Sequence, residues 1–208
     1  MWNLLKRYAS SLIGFATGRF GAVRWWLLAL CTFVVARFAQ RWLDGFYARS
    51  EFPVPYYIGQ TRFSGEVLKG YYRELLEKGT LDVYIQTQLV DYVFMVATFL
   101  SFFCLAAAVL HTVHKVYGEG ILLRIARVFV WLAPSAALMD ALENLISFVM
   151  LANPTGFANW LAIPYSSFAV CKFAIFAVTY VWVITAVVLS VVGGAVKAVR
   201  RLRPGSSS

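Results

Sequence analysis

Four long apolar runs constrain this 208-residue chain more than any other feature. Each exceeds the roughly 20 residues that a helix needs to cross a hydrocarbon core of about 30 Å. The runs cover approximately Ala22–Leu43, Leu89–Val113, Ile125–Ala152 and Tyr165–Val192. Hydrophobic residues make up 61% of the chain and charged residues only 14%, so one small soluble core could not bury the apolar surface. The sequence therefore predicts an all-α integral membrane protein with four transmembrane helices.

Basic residues predict the orientation of these helices. The first 24 residues, the connection between the second and third runs, and the C-terminal tail hold eleven of the 19 basic residues, but only one of the ten acids. By the positive-inside rule these segments lie on the inner side, as an even number of spans also requires for the two termini. The tryptophans at the ends of the first run, Trp25, Trp26 and Trp42, are expected to anchor it at the interfaces. The basic side chains expected to contact lipid headgroups are Lys6, Arg7, Lys115, Arg124, Arg127, Arg200 and Arg201.

Three further segments lie outside the four predicted spans of the membrane domain, residues 22–192. Residues 1–21 read as an amphipathic helix without acids, a composition typical both of a mitochondrial targeting segment and of an uncleaved interfacial helix. On the outer side, residues 66–79 (EVLKGYYRELLEKG) space apolar side chains as in a short amphipathic helix that ends at Gly79. Gly193 and Gly194 are expected to loosen the end of the fourth span, and residues 193–208 to form a basic, partly disordered tail.

The third run contains charges that are costly in a membrane. Asp140, Glu143 and Asn144 are spaced i, i+3 and i+4, so they share one helix face. Carboxylates at that depth need a partner or a proton, which directs them to the interior of the bundle. Each of the other three runs places an ionisable side chain in the same outer half. The predicted buried network comprises Arg37, Asp91, Asp140, Glu143, Asn144 and Lys172.

This network admits three interpretations. It can fix helix register, as buried polar groups sometimes do, and the near balance of its charges favours this. It can bind or relay a proton, an ion or a ligand. It can also provide an acid/base pair, with Lys172 as an electrophilic or nucleophilic aid.

Motifs for enzymatic chemistry are absent from the sequence. It contains no P-loop, GxSxG, HExxH or CxxC motif, and His111 and His114 lack further histidines to complete a metal site. We therefore expect no catalytic residue, no metal and no cofactor apart from bound phospholipid. Nucleic-acid binding is not expected, because the basic residues flank membrane segments.

Three patterns carry a resemblance to a known family. They are GTLDVYIQTQLVDYVFM before and within the second span, DALEN in the third and CKF in the fourth. Over roughly residues 53–192 the chain resembles a widespread family of small four-helix membrane proteins with a D-x-x-E-N motif in the third span and no assigned activity. The resemblance implies a shared polar core, whose positions here are Asp91, Asp140, Glu143, Asn144 and Lys172.

Together these features predict a non-enzymatic accessory or scaffold subunit of a larger complex, respiratory or ATP-synthesising, in the mitochondrial inner membrane. Its partners would be membrane lipids and other integral membrane subunits. The alternative is a small proton or ion transporter, or a ligand-binding membrane protein, that uses the intramembrane Asp/Glu/Asn/Lys cluster. A membrane enzyme is the third possibility.

Overall fold

The regular structure of the chain is helical. The computed structural model describes residues 2–18 and 20–202, except for the side chains of Trp2, Leu5 and Arg201, and contains no strand among them. The helices are α1 (Trp2–Gly18), α2 (Ala22–Ser50), α3 (Tyr56–Gln60), α4 (Gly65–Lys78), α5 (Leu81–Tyr117), α6 (Ile121–Leu151) and α7 (Ala162–Leu202), with a 3-10 turn at Asn159–Leu161 before α7. Four of them, α2, α5, α6 and α7, are long and apolar enough to cross a membrane. The all-α prediction and its four long apolar helices are confirmed.

Helix α5 forms the centre of the bundle. It packs against α2, α6 and α7, and 67% of the residues in its most apolar 18-residue stretch are buried. In the corresponding stretches of α2, α6 and α7, 17%, 39% and 22% of the residues are buried, so these helices present most of their apolar surface outward. Helix α2 packs mainly on α5 and has almost no direct contact with α7. The bundle is therefore open between α2 and α7.

The start of α2 and the last part of α7 lie at the same end of the bundle, which we call the basic end. Trp26 Nε1 donates to Thr112 Oγ1 at 3.0 Å, and the Tyr117 hydroxyl donates to the Leu189 carbonyl, so the start of α2 and the last part of α7 both adjoin the end of α5. Arg127 pairs with Glu119 here at 3.0 Å. The other residues expected to contact headgroups are exposed, except that the side chain of Arg201 lies outside the described part: Lys6, Arg7, Lys115, Arg124 and Arg200.

Helix α1 packs on the bundle near the basic end. Ala16 is fully buried, and the His111 ring donates from Nε2 to its carbonyl at 2.9 Å. Trp25 is also buried, 1% exposed, with its ring 6.1 Å from that of Phe15 and 5.7 Å from that of Phe103. Trp25 is thus part of the core and not the interfacial anchor that its position in the sequence predicted. A tryptophan at the end of an apolar run can face either the lipid or the bundle interior, and here helix α1 covers it.

Helix α7 does not loosen at Gly193 and Gly194 but continues to Leu202. The reason for glycine at position 193 is a close helix approach. A Cβ atom there would lie 2.6 Å from the Tyr117 hydroxyl oxygen, so only glycine lets α5 and α7 meet at this point without displacement. Residues 203–208 of the predicted tail lie outside the described residues.

The opposite end of the bundle, which we call the capped end, is covered by α4. Leu68, Tyr72 and Leu75 are buried, as the helical spacing of the outer segment predicted. Gly79 ends the helix at φ 70°, a left-handed conformation that glycine adopts at little cost. At the other end of α4, Gly65 lies directly against the 3-10 turn before α7.

Two glycines of α4 should therefore respond in opposite ways to alanine. A Cβ on Gly65 would lie 2.6 Å from the backbone Cα of Asn159, so Gly65→Ala should destabilise the protein by about 1–3 kcal/mol. Gly70 is exposed with nothing within 4 Å of its added Cβ, so Gly70→Ala should stabilise it by about 0.5–1 kcal/mol. Equilibrium unfolding in mixed micelles measures both effects, and equal shifts would contradict the predicted contact.

Candidate functional site

A buried ion cluster joins α6 and α7. Lys172 Nζ lies 2.7 Å from Asp140 Oδ1 and 2.7 Å from Glu143 Oε2. The three side chains are 5%, 6% and 0% exposed, so these are charged hydrogen bonds in a medium of low dielectric constant. The ammonium group makes a third contact, with Gln60 Oε1 of α3 at 3.3 Å. All three N–H donors of Lys172 are therefore in use.

Helix periodicity explains how these groups meet. Asp140, Glu143 and Asn144 lie on one face of α6, since residues three and four apart are neighbours on a helix. Helix α7 returns antiparallel beside α6 and brings Lys172 to the depth of that face. The ion cluster thus fixes the register of α6 against α7.

A second polar contact joins α6 to α5. Asn144 Nδ2 donates to Asp91 Oδ2 at 2.9 Å and to the Gln88 carbonyl at 3.4 Å. Asp91 is 8% exposed, and within the described part of the chain no lysine or arginine lies within ion-pair distance of it. The structure thus brings five of the six predicted network residues together on three helices.

Arg37 is the sixth predicted residue, and it lies apart from the ion cluster. It is exposed on α2, where its guanidinium donates from Nη1 to the Gln40 side-chain oxygen one turn along the same helix. Because α2 packs on α5 and not on α6 or α7, Arg37 is not brought into ion-pair contact with the carboxylates.

Without Arg37 the buried charges are unbalanced. Three buried carboxylates, those of Asp91, Asp140 and Glu143, accompany one ammonium group, that of Lys172, which pairs with Asp140 and Glu143 only. If all four groups were ionised, the cluster would carry a charge of −2. Uncompensated buried charge costs several kcal/mol or more, so protons or a cationic group must offset it. The sequence-based expectation of near balance depended on Arg37.

An elongated cavity of about 400 Å³ lies in the opening between α2 and α7, along α5. On α2 its lining extends from Phe33 to Tyr47, a rise of about 20 Å. Towards the capped end, its wall includes Asp91, Asp140 and Lys172. Deeper in the bundle the wall is mostly aromatic, with Phe94, Phe102, Phe173, Phe176 and Tyr180 among its lining residues.

Sequence reasoning missed three polar residues near the cluster. Gln60 lies on the short helix α3, whose position no periodicity predicts. Gln88 and Thr98 line the cavity on the Asp91 side of α5, and both are more than nine-tenths buried. Gln88 Oε1 and Thr98 Oγ1 have no hydrogen-bond partner among the described residues. The spacing of Gln88 three residues before Asp91 was the available signal.

The oxygen atoms of this site suit a ligand that donates hydrogen bonds better than they suit a metal ion. Among the described residues, no group of three His, Cys, Asp or Glu side chains is placed to hold a metal. Two of the three carboxylates are already bound by Lys172.

Comparisons with models of known families, with characterised proteins and with solved structures find no match for this chain. The family resemblance carried by the D-x-x-E-N motif therefore stays a prediction.

Removal of Lys172, the one buried basic side chain in the described part of the chain, should be strongly destabilising. Lys172→Met leaves Asp140 and Glu143 without a partner, for which we expect a loss of about 3–5 kcal/mol in the free energy of unfolding. The triple variant Lys172→Met/Asp140→Asn/Glu143→Gln removes the charges together and should recover much of that loss.

The matched control is Lys78→Met. Lys78 pairs with Glu74 at 2.8 Å, but both side chains are solvent-exposed, so Lys78→Met should leave the free energy of unfolding almost unchanged. Equilibrium unfolding in mixed micelles compares the variants. If Lys172→Met cost no more than Lys78→Met, the cluster would not be a stabilising element of the fold.

Proposed function

We propose that this chain is an integral membrane protein that binds one amphiphilic, lipid-like molecule in the cavity between α2 and α7. Its four long helices would each cross the bilayer once, with the basic end on the inner side. The outward apolar surfaces of α2, α6 and α7 support membrane insertion, and the basic residues at one end support this orientation.

The cavity carries the binding proposal, because the charged residues on its wall lie in the half towards the capped end, whereas the deeper half is lined by uncharged side chains. Asp91 and Lys172 lie towards the capped end, whereas Phe102, Phe176 and Tyr180 lie deeper along the helices. This arrangement matches a molecule with one polar head and one apolar body. The volume of about 400 Å³ falls within the range of roughly 300–1,000 Å³ that is common for ligand sites.

The route to the cavity also favours a lipid-like ligand. Since α2 and α7 hardly touch each other, the cavity is open at the side of the bundle. In a bilayer this side faces acyl chains, so a molecule already dissolved in the membrane can enter without crossing water.

The packing near the basic end favours binding over transport. Below the cavity the core is filled with apolar side chains, including Val109, Val113, Leu123 and Val130, each at most 2% exposed. Every buried Asp, Glu, Lys or Arg side chain in the described part of the chain lies around Asp91 and Lys172, so none is placed in this core to carry a proton or ion onward. Catalysis has less support still, because all three donors of Lys172 are engaged.

A large side chain placed in the cavity should abolish binding. Ala36 is on the cavity wall, so Ala36→Trp should occupy the space and lower the affinity for a fluorescent alkyl-chain probe at least tenfold. The control is Ala48→Trp on the same helix, at an exposed position outside the cavity, which should bind as the wild type does. Titrations use purified full-length protein in lipid nanodiscs. Unchanged affinity in a monodisperse Ala36→Trp variant would contradict the proposal.

A second candidate function is that of an accessory subunit of a respiratory or ATP-synthesising complex in the mitochondrial inner membrane. Helix α2 supports it, because this helix packs mainly on one neighbour and leaves Leu27, Leu30, Val34 and Phe38 exposed. Such a face suits a helix of another subunit as well as it suits lipid. The acid-free helix α1 supports the mitochondrial location, and the exposed basic residues suit bound phospholipid.

Native purification tests the subunit hypothesis. The full-length protein, solubilised from its own membranes in mild detergent, should comigrate with a large complex on native gels. Lipid binding by the isolated protein is a separate property, so the two candidate functions can be true together. Recovery only as a monodisperse free protein would contradict the subunit role.

A further inference from the structure

We infer that the ligand of the cavity carries a protonated amine, which Asp91 binds at the polar end. The inference rests on the proposed binding function and adds the chemical class of the ligand head. It begins from the unequal positions of the three buried carboxylates. Asp140 and Glu143 are each 2.7 Å from Lys172, whereas among the described residues Asp91 accepts a hydrogen bond from the neutral amide of Asn144 alone.

The charges that surround the cavity favour a cation. Its lining includes the acids Asp44, Asp91 and Asp140 and the bases Arg37 and Lys172, and Glu143 lies behind Lys172. Four acids thus oppose two bases. Asp44 is exposed to solvent and needs no partner, and Lys172 is already shared by two carboxylates. Asp91 is the remaining carboxylate on the wall, and a ligand cation would compensate it.

A hydrogen-bond acceptor beside Asp91 favours a head group with N–H donors. Gln88 lies on the same face of α5, and its side-chain oxygen has no partner among the described residues although the residue is 6% exposed. The hydroxyl oxygen of Thr98 has no partner either, but it lies two turns deeper, about 10 Å along α5, and is therefore too far from Asp91 to bind the same amine. Unsatisfied buried polar atoms are costly, and a protonated amine at Asp91 offers N–H groups to the Gln88 oxygen.

Aromatic rings complete the environment of such a ligand. Phe94 and Phe173 are among the lining residues, and Lys172 Nζ already lies 5.0 Å from the centre of the Phe173 ring, a cation–π distance. Further along, Phe102 stacks on Phe176 with their centres 5.2 Å apart and contacts Tyr180 at 5.6 Å. These rings would hold the apolar chain that follows the amine.

Two sources can supply a protonated amine on an apolar chain. One is a free long-chain amine. The other is an ethanolamine phospholipid, whose phosphate group would find a guanidinium at Arg37 on the cavity wall. The recognising chemistry at Asp91 is the same for both.

The test compares probes of equal chain length on the full-length wild-type protein in phosphatidylcholine nanodiscs. Dodecylamine should bind at least tenfold more tightly than dodecanol, because only the amine has a charge for Asp91. Dodecyltrimethylammonium, which has the charge but no N–H, should bind more weakly than dodecylamine. Equal affinities for the amine and the alcohol would overturn the inference, and equal affinities for the two cations would overturn the role of Gln88.

Two variants test whether Asp91 is the residue that recognises the charge of the ligand. Asp91→Asn should reduce the affinity for dodecylamine to that for dodecanol and leave the affinity for dodecanol unchanged. Asp82→Asn is the matched control, an exposed carboxylate on the same helix outside the cavity, and should behave as the wild type does. Retained amine selectivity in Asp91→Asn would assign the charge recognition elsewhere. Should this variant fail to fold, the comparison of probes on the wild type still decides.

Failure of the inference is distinguishable from failure of the proposed function. If dodecanol and dodecylamine bind equally and Ala36→Trp removes both, the cavity binds amphiphiles without recognising an amine. If Ala36→Trp removes neither, the cavity is not the binding site and both proposals fail.

Competition with lysophosphatidylethanolamine and lysophosphatidylcholine separates the two sources of the amine. Displacement of dodecylamine by the ethanolamine lipid alone assigns a phospholipid head, and displacement by neither lipid assigns a free amine, each in agreement with the inference.

Discussion

The interaction of Lys172 with two carboxylates organises the rest of the bundle. It fixes α6 against α7 at one depth, and Asn144 on the same face of α6 then fixes α5 through Asp91. A chain with long uniform apolar helices has few other means to set their register, since apolar side chains pack at many offsets. Removal of one partner from such a pair is costly, so the helices cannot slide without breaking it.

Helix α2 stands outside this polar system, and the cavity is the result. The helix packs mainly on α5, with Ala29 buried in the core, and it has almost no direct contact with α7. Polar contacts therefore join α5, α6 and α7, whereas α2 packs mainly on α5 and leaves the cavity open towards α7. The same separation leaves Arg37 bonded to its own helix and the buried acids in excess over the buried base.

Much of the fold was predictable from the sequence, because its signals are local. The apolar runs define the four long helices, and Gly79 marks the end of α4 through a backbone conformation that glycine favours. The spacing of Asp140, Glu143 and Asn144 places them on one face in any helix. The cavity, the separation of Arg37 and the burial of Trp25 were not predictable. Each depends on which faces of two helices pack together, and helical periodicity does not contain that information. Gly193 was misread for the same reason: its neighbour is Tyr117, far away in the sequence.

The packing of α1 has a consequence for the maturation of the protein. Its residue Phe15 packs against Trp25, and the carbonyl of Ala16 accepts the hydrogen bond of His111. A processing peptidase that removed residues 1–21 would expose the indole ring and leave the imidazole without this acceptor. Cleavage at this point would therefore remove part of the folded core, of which Ala16 is a fully buried member.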